Sequence, residues 1–149
     1  MSESHVIERT WDAPMALIWE LWTSAEGLES WWGPNGFTVE VHELDVRPGG
    51  SFRYTMRATG PEMIERMTTH GRPLSHSVTS TFSEVDAPRK LAWSAPFGPE
   101  TLSTTVVFSQ APVGVKMVLT LQSTKAGTTA GPAMGWKSSL ERFAQRLAR

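Results

Sequence analysis

The 149-residue chain contains no cysteine, which excludes disulfide bonds, thiolate catalysis and cysteine-ligated metal sites. Its net charge of −1 supplies no overall positive field for holding nucleic acid or an anionic membrane. No apolar run approaches the ~20 residues that a membrane-spanning helix needs, and the opening residues show no signal-peptide pattern. We therefore expect a cytoplasmic protein with no nucleic-acid partner and no membrane span.

Recognisable catalytic motifs are missing as well. The sequence has no G-x-S-x-G nucleophile elbow, no phosphate-binding loop and no G-x-G-x-x-G dinucleotide fingerprint. Four histidines are present without the helical spacing of a metal site: His5, His42, His70 and His76. We therefore predict no catalytic residue, no metal and no cofactor, and favour a protein that is not an enzyme.

Large apolar side chains are what the chain has in excess. Seven tryptophans and seven methionines accompany six phenylalanines and a single tyrosine. Tryptophan combines a large apolar body with one polar N–H group, and methionine adapts to irregular surfaces. This composition favours an adaptable apolar pocket, with ordinary core packing as the alternative for any one residue.

Charge is distributed unevenly along the chain. Residues 1–45 carry one base and nine acids, a net charge of −8, whereas residues 46–149 carry 13 bases and six acids, a net charge of +7. We expect the two parts to neutralise each other, either within a monomer or across a homodimer.

Hydrophobic periodicity predicts one α+β domain over residues 1–149. A strand over 5–11 leads through a candidate N-cap at Asp12 into two short helices, the second starting at Thr23 or Ser24. Further strands are predicted over 37–41, 52–57, 75–85, 90–94, 102–108 and 115–121, with a helix over 61–70 and a Gly/Thr-rich loop over 126–132. The order is therefore a strand, two helices, six strands with one inserted helix, and a final helix.

The final helix carries an apolar stripe at spacings of 4, 3 and 4 residues: Trp136, Leu140, Phe143 and Leu147. We expect Phe143 and Leu147 in the core and Trp136 nearer a pocket. Because a curved sheet cannot bury its whole concave face against one helical stripe, we also expect a cavity between sheet and helix.

Four motifs resemble, in order, those of the activator of heat-shock protein 90 ATPase homologue-like family, within the START-like, Bet v 1-like (SRPBCC) superfamily. They are W-W-G-P-x-G-F over 31–37, R-P-G-G-S-F-R-Y over 47–54, F-S-E-V-D-A-P-R-K-L-A-W over 82–93 and G-W-x-x-S-L-E-R-F over 135–143. The resemblance implies a helix-grip fold, in which about six to seven antiparallel strands curve around a long C-terminal helix and enclose a hydrophobic cavity. The segment over 61–75 resembles a subgroup with an extra helix over the cavity mouth.

The resemblance implies binding of a small hydrophobic or aromatic ligand in that cavity. Two other functions stay open: a cyclase or hydratase that uses the same cavity, and a chaperone-associated protein-interaction module. The inward alternations over 52–56 and 115–121 contribute one hydroxyl and no charge, and catalysis needs positioned acids or donors. The sequence therefore favours binding over catalysis.

Candidate ligand-binding residues follow from strand alternation and from a tryptophan on each flanking element. Seven of them are expected to line one pocket of roughly 300–1,000 Å³: Trp32, Phe37, Tyr54, Met56, Trp93, Met117 and Trp136. Met63, Met67 and His70 are expected, with Ile64, on a movable lid hinged at Pro61 and Gly71. A fixed helix that caps the sheet is the alternative.

Overall fold

The computed structural model describes residues 3–125 and 129–148. Its seven strands are β1 (Glu3–Trp11), β2 (Phe37–Leu44), β3 (Ser51–Ala58), β4 (Ser75–Asp86), β5 (Lys90–Phe97), β6 (Glu100–Gln110) and β7 (Val115–Ser123). Its four helices are α1 (Met15–Thr23), α2 (Ala25–Glu29), α3 (Pro61–Thr69) and α4 (Ala130–Leu147). The predicted α+β order of elements is confirmed.

The strands form a single antiparallel sheet in the order β1-β7-β6-β5-β4-β3-β2. The first strand thus lies beside the last, and β1 and β2 occupy opposite edges. Because α1 and α2 connect these two strands, the helix pair spans from one edge of the sheet to the other. Register shifts between Val41 and Glu43 and between Phe82 and Glu84 are the irregularities that bend such a sheet.

The two short helices begin at residues of different character. Ser24 caps α2 as predicted, because its hydroxyl oxygen accepts a hydrogen bond of 3.1 Å from the Gly27 amide. The predicted cap at Asp12 is wrong. Pro14 is still extended (φ −66°, ψ 142°) and occupies the cap position of α1 without a side-chain hydrogen bond. Proline also disfavours helical backbone at the residue before it, so the helix starts only after Pro14.

The C-terminal helix α4 lies against the inner face of the sheet. Phe143 is buried in the core, as predicted, and so is Leu140. The prediction that Leu147 is a core residue is wrong, because it lies one turn beyond Phe143 at the end of the helix and is only half-buried, as is Trp136. Residues 130–132 belong to this helix, so the predicted loop ends earlier than expected, and residues 126–128 of that loop lie outside the described residues.

The uneven charge is neutralised in part within one chain. Across the described residues, three ion pairs join an acid of the N-terminal part to a base of the remainder: Arg47–Asp45 at 2.7 Å, and Arg53–Glu43 and Lys116–Glu8 at 4.0 Å each. All three pairs are solvent-exposed, so each contributes little to stability. The homodimer alternative stays a prediction.

Candidate functional site

Five tryptophans from four parts of the chain meet between the sheet and α4. We call this group the tryptophan cluster; its members are Trp22 of α1, Trp31 and Trp32 after α2, Trp93 of β5 and Trp136 of α4. Ring centroids are 4.6 Å apart for Trp22 and Trp31, 4.9 Å for Trp32 and Trp136, and 6.0 Å for Trp32 and Trp93. These separations are those of attractive aromatic pairs.

Local structure explains how the adjacent Trp31 and Trp32 both point inward. The Trp31 indole nitrogen donates a 2.9 Å hydrogen bond to the Leu21 carbonyl, which ties the end of α2 to α1. The chain then reverses through Gly33, whose φ of +89° is a left-handed conformation that favours glycine. The turn directs the following residues into β2 and leaves the Trp32 ring facing the sheet.

The space inside the tryptophan cluster is nearly filled. A cavity of about 10 Å³, about the size of a single water molecule, is lined by Trp22, Leu28, Trp32, Phe52, Phe82, Leu91 and Trp93. The expected pocket of roughly 300–1,000 Å³ is therefore not present among these residues. The physical reason is that indole rings from both the sheet and the helices project into the space that the curvature of the sheet leaves.

The polar groups at the cavity are few and uncharged. Burial raises the pKa of the Tyr54 hydroxyl above its ordinary value of 10.0, and a hydrogen bond with the Trp32 side chain opposes that rise. The indole nitrogen of Trp22 is buried and has no hydrogen-bond partner among the described residues. No group of three or more His, Asp or Glu side chains in the described part of the chain is placed to hold a metal ion.

The structure brings four of the predicted site residues together. Trp32, Trp93 and Trp136 belong to the tryptophan cluster, and the Tyr54 ring lies 5.9 Å from that of Trp32. Trp32 and Trp93 line the cavity, while Trp136 packs on Trp32 from the helix side and stays half-buried.

The other three residues of the predicted pocket lie apart from the cavity lining. Met117 is fully buried in β7, where it pairs in register with Phe108 of β6. Phe37 is buried at the start of β2, and half-buried Met56 places its terminal methyl close to Gly33. They contribute to packing around the site but do not enclose the cavity.

The predicted lid residues lie farther out. No residue of α3 is buried, and Met63, Ile64 and Met67 are half-buried. His70, which follows the last residue of the helix, is exposed. A side chain at Gly36 would bring its Cβ to 2.8 Å from the Cβ of Met63, so α3 packs closely on the loop before β2. None of the four lid residues lines the cavity.

Sequence reasoning missed five residues of the cavity wall: Trp22, Leu28, Phe52, Phe82 and Leu91. Alternation did place Phe52 on an inward face, and Trp22 follows Ile18 at helical spacing, so both had a detectable signal. What the pattern lacked was the position of each inward side chain relative to the others.

Arg142 was missed although it stands in the motif G-W-x-x-S-L-E-R-F, because no local pattern indicates its hydrogen-bond partners. Its guanidinium Nη1 donates to the carbonyl oxygens of Trp32, Gly33, Pro34 and Phe37, at distances of 3.2, 2.8, 3.3 and 3.1 Å. Burial lowers the pKa of this guanidinium. One turn earlier on α4, the Ser138 hydroxyl oxygen accepts a 2.9 Å hydrogen bond from the Asn35 amide. The helix thereby holds the loop that carries Trp32.

Comparison with known proteins identifies relatives of this architecture. Residues 12–148 match the family model described as Activator of Hsp90 ATPase homolog 1-like protein. No curated protein matches the sequence. Among solved structures, a protein from Chromobacterium violaceum is 18% identical with a TM-score of 0.80, covering 98% of this chain and 97% of its own. An AHSA1-like protein from Aeromonas hydrophila is 21% identical with a TM-score of 0.76, covering 96% of this chain and 90% of its own. At these identities the likeness concerns the fold.

Proposed function

Because the chain belongs to the Activator of Hsp90 ATPase homolog 1-like family, whose START-like fold is built around the space between a curved sheet and a C-terminal helix, we propose that it binds a small hydrophobic or aromatic ligand in that space. Within the described residues, no helix is long and apolar enough to cross a membrane.

The observation that carries this proposal is the cavity bounded by three members of the tryptophan cluster, Trp22, Trp32 and Trp93. Its wall consists of leucine, phenylalanine and tryptophan side chains, a lining typical of sites for aromatic ligands. Although the cavity holds only about 10 Å³, one neighbouring ring is half-buried and has solvent on one side.

That ring is Trp136. It lies parallel to Trp22, with centroids 5.8 Å apart and an interplanar angle of 6°, and it also contacts Trp32 and Trp93. If its side chain rotates toward solvent, it vacates the volume of one indole beside the existing void. A flat ligand would then replace one aromatic partner by another, so most of the stacking lost by the cluster is restored.

The loop before β2, which is hydrogen-bonded to Ser138 of α4 and covered by α3, offers a route of entry. Helix α3 has no buried residue and packs on the loop before β2 through Met63, so few buried contacts oppose its displacement. We therefore include in the proposal the movable lid formed by Met63, Ile64, Met67 and His70.

The alternative functions have less support from the described residues. A cyclase or hydratase needs a positioned acid or base, and the hydroxyl of Tyr54, whose ring contacts Trp32, has a raised pKa that keeps it neutral. A protein-interaction module needs a continuous apolar surface, whereas the exposed large apolar residues in the described part of the chain are distributed over β1, β5, β6, α4 and two loops.

The proposal is tested by filling the void. Naphthalene, a neutral two-ring probe, is titrated into the protein, and binding is followed through the indole N–H signals in NMR spectra. Leu91→Phe adds volume at the cavity wall and should weaken binding at least about tenfold. Leu147→Phe adds the same volume on a half-buried position of α4 that does not line the cavity, and should leave binding unchanged.

Failure of naphthalene to bind the folded wild-type protein, together with native mass spectra that show no co-purified small molecule, would contradict ligand binding at this site. Equal weakening by Leu91→Phe and Leu147→Phe would place the ligand elsewhere.

A further inference from the structure

The buried indole N–H of Trp22 points to the chemistry of the ligand. Resting on the proposed function, we infer that the site takes an uncharged aromatic molecule carrying a hydrogen-bond acceptor, such as a carbonyl or pyridine-type nitrogen, and that Trp22 Nε1 donates to this acceptor. The inference goes beyond hydrophobic binding, because it commits the ligand to one polar feature and to zero charge.

The Trp22 side chain lines the cavity, and only 2% of the residue is exposed. Its Nε1 has no hydrogen-bond partner among the described residues. Buried donors are almost always paired, and an unpaired one costs about 1–3 kcal/mol. The contrast with neighbouring Trp31, whose Nε1 is bonded to the Leu21 carbonyl, shows that the fold can satisfy an indole in this region.

No side chain of the cavity wall can accept a hydrogen bond from the Trp22 N–H. The other lining side chains are those of Leu28, Trp32, Phe52, Phe82, Leu91 and Trp93. Leucine and phenylalanine have no polar atom, and the indole N–H of tryptophan donates but does not accept. A single water in the cavity would find no side-chain acceptor on the wall, whereas buried waters typically make about three hydrogen bonds. An acceptor fixed to an apolar ring satisfies both Trp22 and the wall.

The cavity wall offers no counter-charge to a charged ligand. No side chain of the cavity wall is ionisable, and Tyr54 beside Trp32 is a neutral phenol. A carboxylate or ammonium group on the ligand would be buried without a counter-charge, which costs far more than a single hydrogen bond returns. The ligand class is therefore neutral aromatic ketones, aldehydes, ethers and nitrogen heterocycles.

A matched pair of probes isolates the acceptor. Quinoline and naphthalene have the same size and shape, but quinoline carries one ring nitrogen that accepts a hydrogen bond. At a pH where quinoline is neutral, we expect the wild-type protein to bind quinoline roughly two- to tenfold more tightly than naphthalene. In Trp22→Phe, which keeps an aromatic ring and removes the N–H group, the quinoline nitrogen would be buried without a donor, so the preference for quinoline should be lost or reversed in favour of naphthalene.

Two controls accompany this comparison. Trp19→Phe changes another tryptophan of α1 whose ring contacts Phe108 but does not line the cavity, so the preference for quinoline should persist. A third probe, 2-naphthoate, tests the charge requirement and should bind at least about tenfold more weakly than naphthalene.

The indole N–H signals supply a measurement that does not depend on any variant. Quinoline should move the Trp22 Nε1–H resonance to lower field than naphthalene does, because a hydrogen bond to the ring nitrogen deshields this proton. The ring-current contributions of the two probes are similar and therefore cancel in the comparison. The Trp31 resonance serves as the internal reference, since its N–H is already bonded to the Leu21 carbonyl.

The outcomes separate this inference from the proposal on which it rests. Equal binding of quinoline and naphthalene, or a quinoline preference that survives in Trp22→Phe, overturns the role of Trp22 and leaves hydrophobic binding intact. Binding of 2-naphthoate as tight as that of naphthalene overturns the charge requirement. If neither neutral probe binds the wild-type protein, the proposed function fails, and this inference fails with it.

Discussion

Phe143→Ala is the most direct test of how α4 is held against the sheet. Phe143 is fully buried, and its ring contacts Trp11 and Trp31 at centroid distances of 4.8 Å and Trp22 at 5.9 Å. These partners come from β1, the end of α2 and α1. One phenyl ring thus connects α4 to the sheet edge and to both short helices.

The magnitude follows from burial and aromatic contact. Replacing a buried phenylalanine by alanine costs about 3–5 kcal/mol, and each edge-to-face pair contributes about 0.5–1.5 kcal/mol beyond area burial. Three such pairs place the expected loss toward the upper end, about 4–5 kcal/mol. Domains are stable by about 5–15 kcal/mol, so the variant should lose a large part of its stability.

Urea titration followed by tryptophan fluorescence and by circular dichroism measures this loss. Coincident transitions from the two signals would establish two-state unfolding, which the comparison of free energies requires. Leu147→Ala, on the same stripe but half-buried, should cost clearly less, about 1–2 kcal/mol. A loss below about 1 kcal/mol for Phe143→Ala would refute the reasoning, because α4 would then not be packed through this ring.

Three further predictions address the loop, the tyrosine and the lid. Arg142→Met removes the guanidinium donor shared by four carbonyl groups, of which that of Pro34 keeps the Phe37 N–H, and should cost about 1–3 kcal/mol in urea titration. The same change at Arg146, which has no such carbonyl contacts in the described structure, should cost under about 1 kcal/mol, and equal losses would contradict the role of Arg142. The pKa of Tyr54 is raised from 10.0 in the folded state, so its contribution to stability is fully present below pH 10.0 and is lost as pH rises toward the folded pKa. Tyrosinate absorbance reports this single tyrosine, and a titration midpoint at or below pH 10.0 in the native protein would contradict its burial. Amide hydrogen exchange over 62–70 should be fast without a ligand, because α3 has no buried residue, and slower with naphthalene bound. Strong protection in both states would support the alternative, a fixed helix that caps the sheet.

The proposed ligand class and the packing of the core are physically linked. The tryptophan cluster fills the site without a ligand, so binding must break ring contacts such as that between Trp136 and Trp32 before new ones form. A ligand that only replaces those contacts gains little over the closed state. The unpaired Trp22 N–H adds an interaction that the closed state does not offer, and this difference can favour the bound conformation.

The sequence by itself determined the architecture and the facing of most side chains. Period-two alternation specified which residues of β3 and β7 point inward, because successive side chains of a strand lie on opposite faces. The stripe containing Leu140 and Phe143 specified the buried side of α4, and Ser24 marked the start of α2. Each of these signals is local, since a few neighbouring residues are enough to produce it.

Only the tertiary structure decided how much space remains inside and which polar groups have partners. The cavity is the small difference between the volume enclosed by the sheet and the volumes of side chains from distant segments, so no local pattern specifies it. The free N–H of Trp22 and the carbonyl contacts of Arg142 depend in the same way on atoms that lie far apart in sequence. Periodicity specifies the direction of a side chain, but hydrogen bonding needs ångström-level placement of two groups, and that placement arises only when the elements pack together.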